Sequence, residues 1–390
     1  MAPNPFFGVF LHWVGGLASA SFYVPFRGVK RWSWETYWLV GGIFSWLVAP
    51  WFFAGALTGH HLLPTLGEAF AQHASSCGWT FFFGVLWGVG GLTFGLTMRY
   101  LGISLGMAVA LGYCAAFGTL MPPLFKGTFV PEVLGTASGR VILGGVLLCL
   151  LGIGVAGLAG MSKEREMPAA AKQKTVREFN FKKGIGVATF SGVMSACFAY
   201  GLAMGDPIKA VALAHGVPAL WQGLPVLIIL LAGGFLTNFI WCVLLHVRNG
   251  TGGQYFSRWV SEVPSHGTPL ETAIDAPSEE VVRAAATASD AAIGRVPLLA
   301  NYFFAALAGV TWYLQFFFYS MGETQMGRYG FSSWTLHMAS IIIFSSLWGI
   351  GFHEWKGSSR RTLALLGLGL AILVGSTVVV GYGNYLGVGR

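Results

Sequence analysis

Ten long apolar runs dominate this chain of 390 residues and constrain its fold more than any other feature. A helix that crosses the core of a bilayer needs about 20 mostly apolar residues. Runs of about this length lie at 6–26, 34–57, 79–98, 103–125, 140–160, 184–204, 222–247, 296–321, 332–354 and 361–385. In lipid, a helix satisfies all its own backbone polar groups. The sequence therefore predicts an all-α polytopic membrane protein with ten transmembrane helices.

The composition supports this fold class. The chain is 55% hydrophobic and 10% charged, whereas soluble domains are roughly 25% charged. The net charge of +8 could indicate nucleic acid, but the basic residues lie in connections between apolar runs, which favours a lipid bilayer as the partner and no nucleic acid. The five cysteines lack metal-ligand spacing, so we expect small apolar fillers rather than disulfides or a metal site. The first run lacks the features of a cleaved signal peptide and is expected to be retained.

The basic residues also predict an orientation. Of the 23 Lys and Arg residues, 18 fall in the odd-numbered connections and 4 in the even-numbered ones. Cytoplasmic connections are enriched in Lys and Arg. We therefore expect the odd connections in the cytoplasm and both termini on the periplasmic side of a bacterial inner membrane.

A charged segment at 161–183 divides the chain into halves, 1–160 and 184–390, with five runs each. Since five is odd, two halves of one fold would lie inverted in the membrane, as in many transporters. Weak echoes between TMRYLGISLGMA and GRYGFSSWTLHMA support two inverted five-helix repeats. The connection 248–295 is expected to be a long cytoplasmic loop with a short helix that begins near Ser278.

Glycines at four-residue spacing indicate close contact between helices. The pairs are Gly84 and Gly88, Gly91 and Gly95, and Gly102 and Gly106. Small residues at this spacing let helix backbones approach each other in lipid. We expect a tight bundle rather than a wide pore.

The stretch from Thr311 to His337 crowds aromatic rings around one amide, Gln315. A buried amide in lipid needs a hydrogen-bonding partner. Aromatic faces pack on the C–H faces of sugars, while amides and imidazoles bond hydroxyls. Gln315, His337, Trp312 and Tyr313 are therefore predicted to bind a small-molecule sugar. Trp38, Trp87 and Asn238 are further candidates for the cavity, with packing or helix–helix hydrogen bonds as their alternative roles.

No carboxylate falls at the centre of an apolar run, although proton-driven carriers often have one there. His12 and His337 lie about five or six residues inside their runs, roughly 8–9 Å deep, at a depth similar to that of Gln315. Histidine exchanges a proton near neutral pH, so both are candidates for proton coupling. Glu35, beside Arg27, Lys30 and Arg31, is either an ion-paired residue at a helix N-terminus or a gate or proton relay.

Motifs of soluble enzymes are missing from the sequence. It contains no P-loop and no HExxH. We therefore expect neither a primary pump nor an enzyme, with no catalytic residue, metal or cofactor, and a proton gradient as the source of energy.

Four stretches closely resemble the bacterial L-rhamnose–proton symporter family: ASASFYVPFRGVKRWSWETYW (18–38), FGLTMRYLGISLG (94–106), WYLQFFFY (312–319) and SWTLHM (333–338). The resemblance spans the whole chain. It implies a member of the drug/metabolite transporter superfamily that imports L-rhamnose, or a related deoxy sugar, with a proton. Carried over by position, the matching residues are His12, Tyr23, Glu35, Arg99, Asn238, Trp312, Tyr313, Gln315 and His337, with Arg99 as an additional candidate for coupling or gating.

Two positions depart from the family pattern, since Thr93 and Tyr200 stand where we expect asparagine. These departures bear on which sugar is bound. A uniporter or exporter of another sugar or metabolite on the same fold is the nearest alternative. A membrane-embedded glycosyltransferase is the alternative from another class, and it would need a catalytic acid or base near a membrane face.

Overall fold

The computed structural model describes residues 3–166, 180–260 and 294–388. Within these ranges, ten helices are long and apolar enough to cross a membrane. In chain order, spans 1 to 10 are Pro5–Phe26, Trp34–Gln72, Ala74–Met98, Ser104–Phe125, Ala137–Glu166, Phe181–Ala214, Ala219–Asn249, Leu298–Thr324, Gly327–Gly351 and Arg360–Leu386. The prediction of an all-helical, multi-pass membrane protein with ten spans is confirmed.

Several spans are composed of more than one helix. The α-helices are Pro5–Ser21, Tyr23–Phe26, Trp34–Ile43, Ala49–Thr58, Leu62–Gln72, Ala74–Leu101, Ile103–Phe125, Ala137–Glu166, Phe181–Met204, Asp206–Ala214, Leu224–Asn249, Leu298–Thr324, Ser333–Gly351 and Arg360–Leu386. Short π or 3₁₀ turns are Phe44–Val48, Gly59–His61, Phe129–Leu134, Ala219–Trp221, Gly252–Tyr255 and Gly327–Ser332. Two short strands, Trp259–Val260 and Gly294–Arg295, pair antiparallel.

Spans 2 and 6 extend beyond their predicted ends. Span 2 was predicted to end at residue 57, but the chain turns at Gly59, where φ is 58°, and continues as the helix Leu62–Gln72. Span 6 was predicted to end at residue 204, but the helix Asp206–Ala214 follows. Both added helices carry polar residues, so hydropathy falls there although the backbone stays helical.

Asparagine and serine side chains cap the N-termini of three helices. Asn4, Asn180 and Ser359 each accept a hydrogen bond from the backbone N–H three residues later. Such caps satisfy one of the free N–H groups of the first turn. The helices of spans 3 and 4 are separated only by Gly102, whose φ of 83° suits glycine.

Glycines allow spans 3 and 7 to approach closely. A Cβ added at Gly84 would stand 2.0 Å from the carbonyl oxygen of Leu230, and one at Gly233 would stand 2.1 Å from that of Phe81. Gly88 similarly faces Thr237, whereas Gly91 faces open space. The four-residue spacing therefore indicates close packing correctly at Gly84 and Gly88 but not at Gly91.

The contacts between spans form matched sets in the two halves of the chain. Span 1 packs against spans 8 and 9, and span 6 packs against spans 3 and 4. Spans 2 and 8 are in contact, and so are spans 7 and 3. Spans 4 and 5 pack against each other, as do their counterparts, spans 9 and 10. Spans 5 and 10 pack along each other, and so do spans 2 and 7. Each pairing thus has a counterpart five spans along the chain.

The two faces of the bundle differ in their connections. One face, which we call the terminal face because Asn4 near the N-terminus lies there, carries the connections 126–136 and 205–223. The backbone N–H of Asn4 donates to Gln325 Oε1 at 3.1 Å. The opposite face, which we call the loop face, carries the connections 27–33, 250–260 and 352–359. Residues 167–179 of the predicted hinge, and residues 261–293 of the predicted loop with the helix expected near Ser278, lie outside the described residues.

Candidate functional site

A hydrogen bond joins Gln315 of span 8 to His337 of span 9. His337 Nε2 lies 3.3 Å from Gln315 Oε1, and the two residues are only 2% and 1% exposed. Among the residues that the structure describes, Gln315 Nε2 and His337 Nδ1 have no hydrogen-bond partner. Buried polar atoms are nearly always satisfied by protein, water or ligand, so this pair is suited to bind a polar molecule.

His12 of span 1 approaches the same pair through Tyr319. The Tyr319 ring lies 5.2 Å from the imidazole of His12 and 5.3 Å from that of His337. His12 is fully buried, and neither of its ring nitrogens has a hydrogen-bond partner within the described ranges. Gly322 leaves room for the His12 ring, since a Cβ there would stand 2.8 Å from Nε2. Spans 1 and 9 therefore place two imidazoles against one tyrosine of span 8, four residues from Gln315.

Aromatic rings fill the space beside this group. Phe316 lies 5.9 Å from Trp312, 5.4 Å from Trp87 and 4.5 Å from Phe198 between ring centroids. Trp334 continues the cluster at 5.7 Å from Phe198. The rings come from spans 3, 6, 8 and 9, so the cluster lies between the two halves of the chain. Phe198 was not predicted, because nothing in its apolar surroundings distinguishes it.

Trp38 and Asn238 join spans 2 and 7. Trp38 Nε1 donates to Asn238 Oδ1 at 3.2 Å, and Asn238 Nδ2 donates to the carbonyl oxygen of Gly234 at 2.9 Å. Trp38 also stacks on Trp34, with ring centroids 5.1 Å apart. Asn238 therefore makes the kind of helix–helix hydrogen bond that was its alternative role.

Tyr313 lies on another side of span 8. Its ring stacks on Phe53 at 5.5 Å and lies 6.2 Å from Phe317. Two residues along a helix turn the side chain by roughly 200°, which directs Tyr313 away from Gln315. The structure does not bring Tyr313 to the Gln315–His337 pair.

Glu35 of span 2 is buried at the loop face and has no exposed surface. Its Oε1 accepts hydrogen bonds from Thr251 Oγ1 at 2.6 Å and from Asn249 Nδ2 at 3.1 Å, while Oε2 has no partner. Among the residues that the structure describes, the preceding Arg27, Lys30 and Arg31 donate no hydrogen bond to Glu35. Arg27 instead lies 3.8 Å over the ring of Phe352.

A chain of hydrogen bonds leads from Glu35 to Tyr255. His246 Nδ1 lies 2.8 Å from Thr251 Oγ1, and His246 Nε2 lies 2.7 Å from the Tyr255 hydroxyl. Because the Thr251 hydroxyl donates to Glu35, it accepts from His246 Nδ1–H, and the Tyr255 O–H then donates to Nε2. Burial raises the pKa of the Tyr255 phenol, which keeps it a donor. Sequence reasoning missed Thr251, His246 and Tyr255, since these residues lie over 200 positions from Glu35 along the chain and form no motif.

Three further positions that the sequence singled out lie on the helices of spans 3 and 6. Arg99 is in the last turn of the helix Ala74–Leu101. The Tyr200 hydroxyl donates to the carbonyl oxygen of Phe117 at 3.1 Å, and the Thr93 hydroxyl donates to that of Val89 at 2.9 Å. Both departures from the family pattern therefore use their hydroxyls on backbone carbonyls. In the part of the chain that the structure describes, no group of three His, Cys, Asp or Glu side chains could hold a metal ion.

Comparison with known proteins gives one consistent match. The family model described as L-rhamnose-proton symport protein matches residues 1–252 and 279–385. Relatives named L-rhamnose-proton symporter, from Salmonella paratyphi B and Salmonella newport, are each 35% identical to this chain over 378 residues. Those residues cover 96% of this chain and 97% of each relative.

Proposed function

The chain belongs to the L-rhamnose-proton symport protein family, and from this premise we propose that it imports L-rhamnose, or a closely related deoxy sugar, together with a proton. The observation that carries the proposal is the Gln315–His337 pair, whose unpartnered polar atoms lie beside a cluster of aromatic rings. Such a combination binds sugar hydroxyls and sugar C–H faces at once. Transport needs no cofactor and no covalent chemistry.

The two histidines take up the coupled proton. His12 and His337 each contact Tyr319, so protonation of one imidazole disfavours protonation of the other in the low dielectric of the bundle. The pair therefore holds one proton rather than two. That proton would sit beside Gln315, where it strengthens hydrogen bonding to a bound sugar.

Glu35 serves as the gate at the loop face. Its hydrogen bonds to Asn249 and Thr251 tie the start of span 2 to the end of span 7. Opening of this face separates those residues and exposes the carboxylate to water, so that Glu35 also relays the coupled proton from the histidines to the cytoplasm. Arg99, in the last turn of its helix, is a further candidate for this gate.

Alternating access follows from two inverted five-helix repeats, residues 1–160 and 184–390, joined by a hinge at 161–183. The matched pairing of spans in the two halves supports this arrangement, and so does the odd number of spans in each half. The same arrangement agrees with membership of the drug/metabolite transporter superfamily.

The protein lies in the bacterial inner membrane with its loop face toward the cytoplasm. The connections of this face hold most of the Lys and Arg residues, as cytoplasmic connections do. Both chain ends, at the terminal face, then lie on the periplasmic side. Import therefore proceeds from the terminal face to the loop face.

Reconstituted protein tests this function without an imposed gradient. Addition of L-rhamnose to liposomes that contain the protein should make the external medium more alkaline, and D-glucose should not. L-Rhamnose uptake without a change of pH would indicate a uniporter instead. Absence of both L-rhamnose binding and uptake would contradict the proposal.

A further inference from the structure

A cavity of about 340 Å³ opens at the terminal face and shares Tyr319 with the site described above. Its walls come from spans 4, 6, 8 and 9 and from the start of span 7. At its inner end lies Tyr319, the residue that contacts both His12 and His337. The cavity therefore lies between the terminal face and the histidine pair.

Charged side chains of both signs line this cavity. Lys209 Nζ lies 3.1 Å from Glu323 Oε2 and 3.2 Å from Asp206 Oδ1, and Lys126 Nζ lies 2.7 Å from Asp206 Oδ2. Arg328 and Glu132 add one charge of each sign. Because the charges balance, the cavity has no net attraction for ions, but it offers many hydrogen-bond donors and acceptors. This combination suits a neutral molecule with several hydroxyl groups.

An unpartnered hydroxyl also points to a ligand. Ser320 lines the cavity and is 1% exposed, yet its Oγ has no hydrogen-bond partner in the described part of the chain. Gly223 makes room for this hydroxyl, since a Cβ there would stand 2.1 Å from it. A buried hydroxyl without a partner loses free energy unless a ligand or water satisfies it.

We propose that this cavity is a second sugar-binding site, the outer site, which holds L-rhamnose before it reaches the Gln315–His337 pair. The inference rests on the proposed function, because the ligand is the transported sugar. Ser320 and the lone pairs left on Asp206 and Glu323 bond sugar hydroxyls. The rings of Tyr319 and Phe331 pack against the C–H face and the methyl group of a deoxy sugar. The volume lies within the range of small-molecule sites, roughly 300–1,000 Å³.

Protection of an introduced cysteine tests the outer site. Ala203 lines the cavity, and the five native cysteines are buried, so a thiol reagent should label Ala203→Cys selectively. L-Rhamnose should slow this labelling at least about threefold. Protection should persist when Gln315→Ala removes the inner site, which excludes an indirect effect of inner-site binding. Gln72→Cys, exposed at the same face outside the cavity, should label at an unchanged rate.

Ser320→Ala separates binding from folding. Loss of a buried, unpartnered hydroxyl should leave the melting temperature unchanged or raise it, because no hydrogen bond is lost. The sugar concentration for half-protection of Ala203→Cys should nevertheless rise about threefold or more.

Two outcomes would overturn the outer site. If Ala203→Cys transports L-rhamnose but the sugar does not slow its labelling, the outer site is wrong and the proposed function stands. Suppose that Gln315→Ala abolishes the protection of Ala203→Cys by L-rhamnose, although Ala203→Cys alone transports L-rhamnose normally. A single inner site then explains the result. A protein that neither binds nor transports L-rhamnose would contradict the proposed function itself.

Discussion

At the scale of single residues, Gln315 and Tyr313 show what a sequence can and cannot predict. Both belong to one aromatic stretch, and both were predicted to bind sugar. Only Gln315 lies beside His337, whereas Tyr313 stacks on Phe53. Span 8 is apolar on all sides, so hydropathy carries no information about which side faces the centre. Depth in the membrane could be predicted from residue counting, but rotation about the helix axis could not.

The two residues should therefore respond differently to substitution. Gln315→Ala should raise KM for L-rhamnose uptake at least about tenfold, because it removes a sugar ligand and leaves the His337 imidazole without its partner. Tyr313→Phe should change KM less than about twofold, since the Tyr313 ring stacks on Phe53, on another side of span 8 from Gln315. Uptake measured over a range of sugar concentrations checks both, and equal effects would contradict this assignment.

Glu35 provides a test of proton coupling. Glu35→Gln keeps the side-chain shape and one acceptor oxygen but cannot lose a proton. Accumulation of L-rhamnose driven by a pH gradient should fall at least about tenfold. Exchange of labelled for unlabelled sugar should stay within about twofold of wild type, because exchange moves no net proton.

A matched control for this variant is Glu68→Gln. Glu68 is partly exposed at the terminal face and pairs with His215 at 2.8 Å, and such surface pairs contribute little. It should transport as wild type. Normal gradient-driven accumulation by Glu35→Gln would remove Glu35 from the coupling mechanism.

At the scale of helices, length and packing differ in how well the sequence predicts them. The number of spans followed from hydropathy, because lipid demands long apolar helices. The extensions Leu62–Gln72 and Asp206–Ala214 did not, because polar residues lower hydropathy without ending a helix. Glycine spacing predicted close packing at Gly84 but could not identify Gly91 as open to space. The spacing of small residues indicates where two helices can pack closely, but it does not identify the partner helix.

Gly84 and Gly91 form a matched pair for a stability measurement. Gly84→Ala should destabilise the protein by about 1–3 kcal/mol, because its methyl group would overlap the backbone of Leu230. Gly91→Ala should be neutral or slightly stabilising, since no atom of the described residues lies within 4 Å of the added Cβ. Thermal unfolding in detergent compares the two, and a similar loss of stability in both would contradict the observed packing of spans 3 and 7.

At the scale of the whole molecule, orientation rests on the distribution of basic residues. Lys356 is exposed on the loop face and Gln72 on the terminal face. A membrane-impermeant maleimide applied to intact bacterial cells should label Gln72→Cys but label Lys356→Cys only after the membrane is permeabilised. The buried native cysteines keep the background low. The reverse pattern would invert the proposed direction of import.

Coupling between sugar and proton is the central claim, and accumulation against a concentration gradient measures it most directly. Liposomes that contain the protein are loaded at alkaline pH and diluted into acidic medium with labelled L-rhamnose. Internal sugar should rise above the external concentration and fall back to it when a protonophore is added. Equilibration to equal concentrations, whatever the pH difference, would contradict proton-coupled import.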